Sequence, residues 1–150
     1  MTWLHRTNSQ HPEFIHLVRQ LDAYLAEVDG DDHAFYDQFN SIDNLKHVVV
    51  AFNGDDPVGC GAIKEYDPQT VEIKRMYTSP DSRGKGIASL ILEELEKWAK
   101  ELNYHQCILE TGKKQVEAIN LYQKCGYQPM DNYGQYEGVE NSICMKKTLL

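Results

Sequence analysis

Two glycines and two basic residues crowd the segment Arg83-Gly84-Lys85-Gly86-Ile87-Ala88-Ser89. A strand-like run, Val71 to Thr78, precedes it, followed by a turn at Ser79-Pro80-Asp81-Ser82. An amphipathic helix is expected from Gly84 to Leu102. Glycines at a strand-to-helix junction let the backbone approach a ligand closely. The first amides of a helix have no intrahelical partners, and the helix dipole makes that end attractive to anions. With charge from Arg83 and Lys85, the segment reads as a cradle for a diphosphate. Two other phosphate-binding loops can be tested by spacing, and neither matches in full. A nucleotide loop needs G-x-x-x-x-G-K-[ST], but Ile87 follows Gly86. A dinucleotide loop needs G-x-G-x-x-G between parallel strands joined by helices. Here Ser89 fills the third glycine position, and the upstream strands are joined by short turns.

The pattern that fits is [Q/R]-x-x-G-x-[G/A], with Arg83, Gly86 and Ala88 in its fixed positions. It resembles the acetyl-CoA-binding signature of the GNAT superfamily of N-acetyltransferases. Glu72-Ile73-Lys74-Arg75-Met76-Tyr77-Thr78 resembles that family's central strand. Ala118-Ile119-Asn120-Leu121-Tyr122-Gln123-Lys124-Cys125-Gly126-Tyr127 resembles its late motif, A-x-x-L-Y-x-K-x-G-[F/Y]. The resemblance is clear from about Val48 to Tyr127 and looser on either side. It implies an α+β fold, with a mixed, mostly antiparallel central sheet flanked by helices in the order β-α-α-β-β-β-α-β-α-β-β. It also implies transfer of an acetyl group from acetyl-CoA to a primary amine of a small molecule or peptide, by direct attack in a ternary complex, with no metal. Dimers are common in the family, so a homodimer is one expected assembly.

Such a transfer needs the thioester and amine held together. The amine must lose a proton, and the thioester oxygen needs a donor as charge builds. Glu72 is the expected base. It lies 11 residues before Arg83, an offset that resembles the general-base glutamate of one family branch. Glu110, at the end of a buried strand, is the competing carboxylate. Tyr122 is the expected acid, since the motif tyrosine points at the CoA sulfur in the family and a phenol is protonated at neutral pH. By the same resemblance, backbone groups at Met76, Tyr77 and Thr78 pair with the pantetheine arm as an added strand would. Gly84 to Ser89, with Ile87 and Ala88 among them, hold the diphosphate. Gln115 stands where many members have an asparagine that contacts the cofactor, and Asn120 could supply that amide instead. For the acceptor site, acidic and aromatic groups suit a cationic amine. Asp29, Asp31, Asp32, Phe35 and Tyr36 are candidates on one side, and Tyr133, Tyr136, Glu137, Glu140 and Asn141 on the other.

These residues need elements to carry them. A short first strand over Thr2 to Asn8 is expected. Pro12 can open a helix whose apolar residues Phe14, Leu17, Val18, Leu21, Leu25 and Val28 share one face, and Asp29-Gly30 stops it. A short helix over Ala34 to Phe39 follows. His47–Phe52, Val58–Tyr66 and Val71–Thr78 read as an antiparallel meander. The next helix should bury Ile87, Ile91, Leu95, Trp98 and Leu102, with Glu93–Lys97 and Glu96–Lys100 paired on its outer side. Gln106 to Thr111 is a buried strand. Gln115 to Cys125 is a helix ended by Gly126 in a left-handed cap. Tyr127–Met130 and Ser142–Lys147 close the fold.

The chain has 150 residues, which suits one domain over 1–150 with a core of its own. Hydrophobic residues at 41% and charged residues at 25% place it among soluble globular proteins. No apolar run reaches the roughly 20 residues of a membrane span, and the N-terminal residues do not resemble a signal peptide. The four cysteines form no C-x-x-C pair and read as core thiols of a reducing, cytoplasmic protein. Asp31-Asp32-His33 reads as a helix cap rather than a metal site. A net charge of −8 argues against nucleic-acid binding. Two rivals stand beside the enzyme reading: a catalytically silent acetyl-CoA-binding sensor or interaction module, and a dinucleotide-binding domain. The presence of both Glu72 and Tyr122 favours the enzyme.

Overall fold

Proline at one end and glycine at the other set the limits of the first long helix, and similar local signals place most of the chain. The computed structural model describes residues 1–37 and 45–150. Its elements in chain order are β1 (Thr2–Thr7), α1 (Pro12–Asp29), a 3₁₀ turn at Gly30–Asp32, α2 (His33–Asp37), β2 (His47–Asn53), β3 (Asp56–Asp67), β4 (Thr70–Thr78), α3 (Ile87–Glu101), β5 (Gln106–Gly112), α4 (Val116–Lys124), β6 (Gln128–Met130) and β7 (Ser142–Thr148). This is the expected order; the end of the second helix, expected at 38–39, lies outside the described residues. The strands form one sheet, β1-β2-β3-β4-β5-β7-β6. Among the described residues, only β4 and β5 pair in parallel.

β2 is apolar without a break because both faces of the sheet are covered. Val48, Val50 and Phe52 pack against Phe14, Leu17, Val18 and Leu21 of α1. Val49 and Ala51 pack on the other face with Ile87, Ile91, Leu92 and Leu95 of α3. α3 sits close on the sheet because β3 carries Gly61: a Cβ there would stand 2.5 Å from Met76 Sδ and 2.9 Å from Leu95 Cδ1. Gly126 has φ of +96°, as the left-handed cap requires.

Three features of α3 differ from the sequence reading. It starts at Ile87, so Gly84 to Gly86 are loop rather than helix. Leu92 and Ala99 join the buried face, whereas Trp98 is only partly buried and Leu102 is 38% exposed beyond the helix end. Glu96 does not face outward toward Lys100. It turns inward, where Lys147 Nζ lies 2.8 Å away and the Tyr127 hydroxyl donates to it at 2.9 Å. Both partners come from late in the chain, beyond the reach of an i,i+4 rule.

Two irregularities in β4 shape the site. Cys60 pairs with Tyr77 and Ala62 with Lys74, so Gly61 faces two residues, Arg75 and Met76. This is a β-bulge, and Arg75 has φ of +58°. Glu72, Lys74 and Arg75 all line one cavity as a result. The second irregularity is a parting of the sheet. β4 and β5 pair only over Thr70–Glu72 and Gln106–Ile108. Beyond Glu72 the two strands run on without pairing to each other.

Candidate active site

The glycine loop opens on empty space. Gly84 and Gly86 have φ of +77° and +78°, a conformation that favours glycine, and a Cβ built at either meets nothing within 4 Å. Gly86 is also the N-cap of α3, so the loop presents the free amides of that helix. A groove of about 760 Å³ runs from this loop between β4 and α4. Met76, Tyr77, Thr78, Arg83, Gly84, Gly86, Ile87, Ala88, Ser89, Gln115 and Asn120, all nominated by the sequence, line it. Lys85 does not; its side chain is exposed outside the lining. Arg83 is held in place, its Nε donating to Thr78 O at 3.0 Å and its guanidinium lying over the rings of Tyr24 and Tyr77. Tyr77 in turn donates to Gln20 Oε1 on α1 at 3.3 Å, so its ring braces the arginine. The open loop and its outward amides fit the diphosphate of a CoA ester.

A smaller cavity of about 90 Å³ lies on the α1 side of the parted strands. It shares Leu21, Met76, Gln115 and Tyr122 with the groove, so the two spaces meet at those four residues. Tyr122 reaches the junction from α4 and is 6% exposed. Burial pushes its phenol well above the ordinary range, so it stays protonated at neutral pH.

The smaller cavity is highly charged. Glu72 is buried; its Oε2 accepts from the Tyr133 hydroxyl at 2.7 Å, and its Oε1 lies 3.9 Å from Lys74 Nζ. Burial pulls the Lys74 ammonium below its ordinary value, against the pull of Glu72. Burial also pushes the Glu110 carboxyl up to about 7; a Ser142 hydrogen bond and Lys74 oppose that rise, while Asp29 and Glu72 add to it. Arg75 is buried, with Nη2 paired to Asp22 on α1.

Of the acceptor-side candidates, Asp29, Tyr36 and Tyr136 line this cavity. Tyr133 acts through Glu72 instead. Asp32 and Asn141 are tied to each other at 2.6 Å. Asp31, Phe35, Glu137 and Glu140 stand outside the lining. Sequence reading missed the cations Lys74 and Arg75 as cavity residues, and with them Thr111. Lys74 shares strand parity with Glu72 and could have been placed on its face; Arg75 could not, because the bulge turns it there. Among the described residues, no group of three or more His, Cys, Asp or Glu stands together as a metal site, and no helix is long and apolar enough to cross a membrane.

A sheet that parts beside a groove, with a second polar cavity opening at the same point, suits an enzyme that binds two ligands side by side. Residues 12–127 match the family model described as Acetyltransferase (GNAT) family, and the chain belongs to that family of acyltransferases. YsnE of Bacillus subtilis, an uncharacterised N-acetyltransferase, is 37% identical over 101 residues, covering 66% of this chain and 67% of its own. The IAA acetyltransferase of Azospirillum brasilense is 31% identical over 138 residues and 90% of each chain. Among solved structures, an acyl-CoA N-acyltransferase from Klebsiella pneumoniae is 28% identical, with a TM-score of 0.84 over 100% of this chain and 99% of that one. A GNAT acetyltransferase from Elizabethkingia anophelis, solved with acetyl-CoA bound, shares the fold at 19% identity and a TM-score of 0.70, over 99% of this chain and 98% of that one.

Proposed function

We propose that the chain is an N-acetyltransferase that moves the acetyl group of acetyl-CoA to a primary amine of a small molecule or peptide, by direct attack within a ternary complex. The observation that carries this reading is the meeting of groove and cavity at Met76, Gln115 and Tyr122. A ligand laid along the groove with its diphosphate at Gly84–Ser89 would bring its far end to the point where the charged cavity opens. The unpaired edge of β4 beyond Glu72 gives an extended arm backbone groups to bond.

Acetyl-CoA supplies an activated acyl carbon. The chain's residues have three tasks around it. Backbone groups near Met76 polarise the thioester oxygen. A carboxylate takes the proton that the amine loses as its nitrogen bonds the acyl carbon. Tyr122 gives its proton to the sulfur as the C–S bond breaks. Glu72, the residue at the family offset, is the proposed base. Glu110 is the second reading, favoured by one pair of observations: its carboxyl titrates near 7, and its Oε2 has no partner. Three buried, unpaired cysteines support a reducing, cytoplasmic setting for one domain over 1–150.

The test is acceptor-dependent release of free CoA thiol across a panel of amines, amino acids and short peptides. Turnover with at least one amine is expected. Tight binding of acetyl-CoA with no acceleration by any amine would instead select the silent binding module.

A further inference from the structure

Among the described residues, the buried side-chain atoms without a hydrogen-bond partner are Nε and Nη1 of Arg75, Oε2 of Glu110 and Oγ1 of Thr111. All three residues line the smaller cavity. Native interiors leave few such groups, because desolvating a polar atom without pairing it is costly. Their convergence on one cavity directs the search for their partners to what that cavity holds.

The unpaired groups differ in sign. Arg75 offers cationic donors from a side chain that is 1% exposed. Asp22 takes only Nη2, and its own carboxylate is 44% exposed on α1. Glu110 offers an acceptor oxygen, and the Thr111 hydroxyl can do either. Lys74 adds a second cation to the wall, and Glu72 and Asp29 add anions. A plain alkylammonium satisfies only half of this. It would meet Glu110, leave Arg75 without an acceptor, and set a like charge beside Lys74 and Arg75. A molecule carrying an ammonium and a carboxylate a few bonds apart satisfies both signs at once.

We propose that the acceptor is a small amino acid, its carboxylate paired with Arg75 and its amino group held by Glu110 beside Tyr122. A volume of about 90 Å³ suits a small side chain. This rests on the acetyltransferase reading of the site and narrows the acceptor within it. The expectation of a cationic amine, drawn from acidic and aromatic residues, left Lys74 and Arg75 out of the cavity; the amino-acid proposal keeps the amine and adds a carboxylate for them.

The test is a matched series: alanine, alaninamide, alanine methyl ester and ethylamine, followed by other small amino acids with their amides. Each is assayed as an acceptor by CoA release, and as a ligand by titration calorimetry on the CoA-loaded protein. The acid should exceed the amide on the order of tenfold or more in both kcat/KM and affinity, the scale of one charge-assisted hydrogen bond to a buried group. Arg75→Gln should bring that ratio close to one. Lys74→Met, which leaves the Arg75–Asp22 pair in place, should narrow it several-fold and serves as the readout if Arg75→Gln does not fold. Amides or esters used as well as the acids, with CoA still released, overturn the amino-acid assignment and leave the acetyltransferase reading standing. No CoA release with any amine, while calorimetry still finds the acid bound tenfold tighter than its amide, sinks the activity and keeps the ligand. Equal or absent binding of acid and amide overturns the proposal outright.

Discussion

Glu110→Gln separates a buried, proton-holding carboxyl from an ordinary surface acid. Burial raises the Glu110 carboxyl from 4.5 to about 7, an interval of about 2.5 pH units. At about 1.36 kcal/mol per unit, the fold holds that proton more tightly than the unfolded chain by about 3 kcal/mol. The folded-state value is the higher one, so this stability is fully present below about pH 4.5 and is lost as pH rises through about 7. Glutamine keeps the shape and does not titrate. The stability of wild type relative to Glu110→Gln should therefore fall by about 3 kcal/mol between pH 4.5 and 8, then stay level. For a chain of this size that corresponds to roughly 6–12 °C in relative Tm. Urea denaturation of both proteins, run side by side across that range, is the assay, because titrations common to the two cancel. Parallel curves, within about 1 kcal/mol across the range, would refute the claim that Glu110 is held protonated by its burial. The same pair of proteins speaks to catalysis. If Glu110 is the base, the rise of wild-type kcat/KM through about pH 7 is absent in Glu110→Gln. If that limb persists there and disappears in Glu72→Gln, the proton goes to Glu72.

Three further outcomes are expected. Glu72→Gln should lower kcat/KM at neutral pH and recover partly toward pH 9 as free amine accumulates, with acetyl-CoA affinity barely changed; superimposable pH profiles would remove Glu72 from the mechanism. Tyr122→Phe deletes one hydroxyl, so affinity for acetyl-CoA should hold while turnover falls roughly 10²–10⁴-fold; a wild-type rate would reduce the tyrosine to packing. Gly86→Val puts a branched side chain at φ of +78°, into the open space before the loop. It should cost roughly 1–2 kcal/mol in backbone strain and abolish acetyl-CoA binding by calorimetry; an unchanged Kd in a folded variant would show that the diphosphate sits elsewhere.

Local chemistry made much of the fold legible. Pro12 and Gly30 bound α1 because one fixes φ at a helix start and the other accepts φ of +55° at its end. Gly84 and Gly86 pointed to the groove because no other residue adopts their conformation as easily. What stayed hidden depends on register and on distant partners. Alternation along β4 cannot reveal that Arg75 turns to the face of Lys74, since the bulge exists only once Gly61 is paired across from it. Glu96 looked like a surface acid because its partners, Tyr127 and Lys147, are 31 and 51 residues further on. The acceptor side was read as acidic and aromatic for the same reason: Asp29 and Tyr136 are plain in the sequence, whereas Arg75 reaches the cavity only through that bulge.

The parting of β4 from β5 has a dynamic consequence. The sheet is two sub-sheets, β1–β4 and β5–β7, joined by three residue pairs over Thr70–Glu72. That seam is the natural plane for sub-global opening, and amides along it belong to the low-stability end of the fold. A ligand that bonds the free edge of β4 stitches the two sub-sheets together. Hydrogen exchange along β4 beyond Glu72 and along β5 beyond Ile108 should then slow together on loading with acetyl-CoA, while β2, already paired on both sides with β1 and β3, changes little. A donor substrate bound there would thus serve as the missing strand of the resting protein, and its departure would loosen the seam.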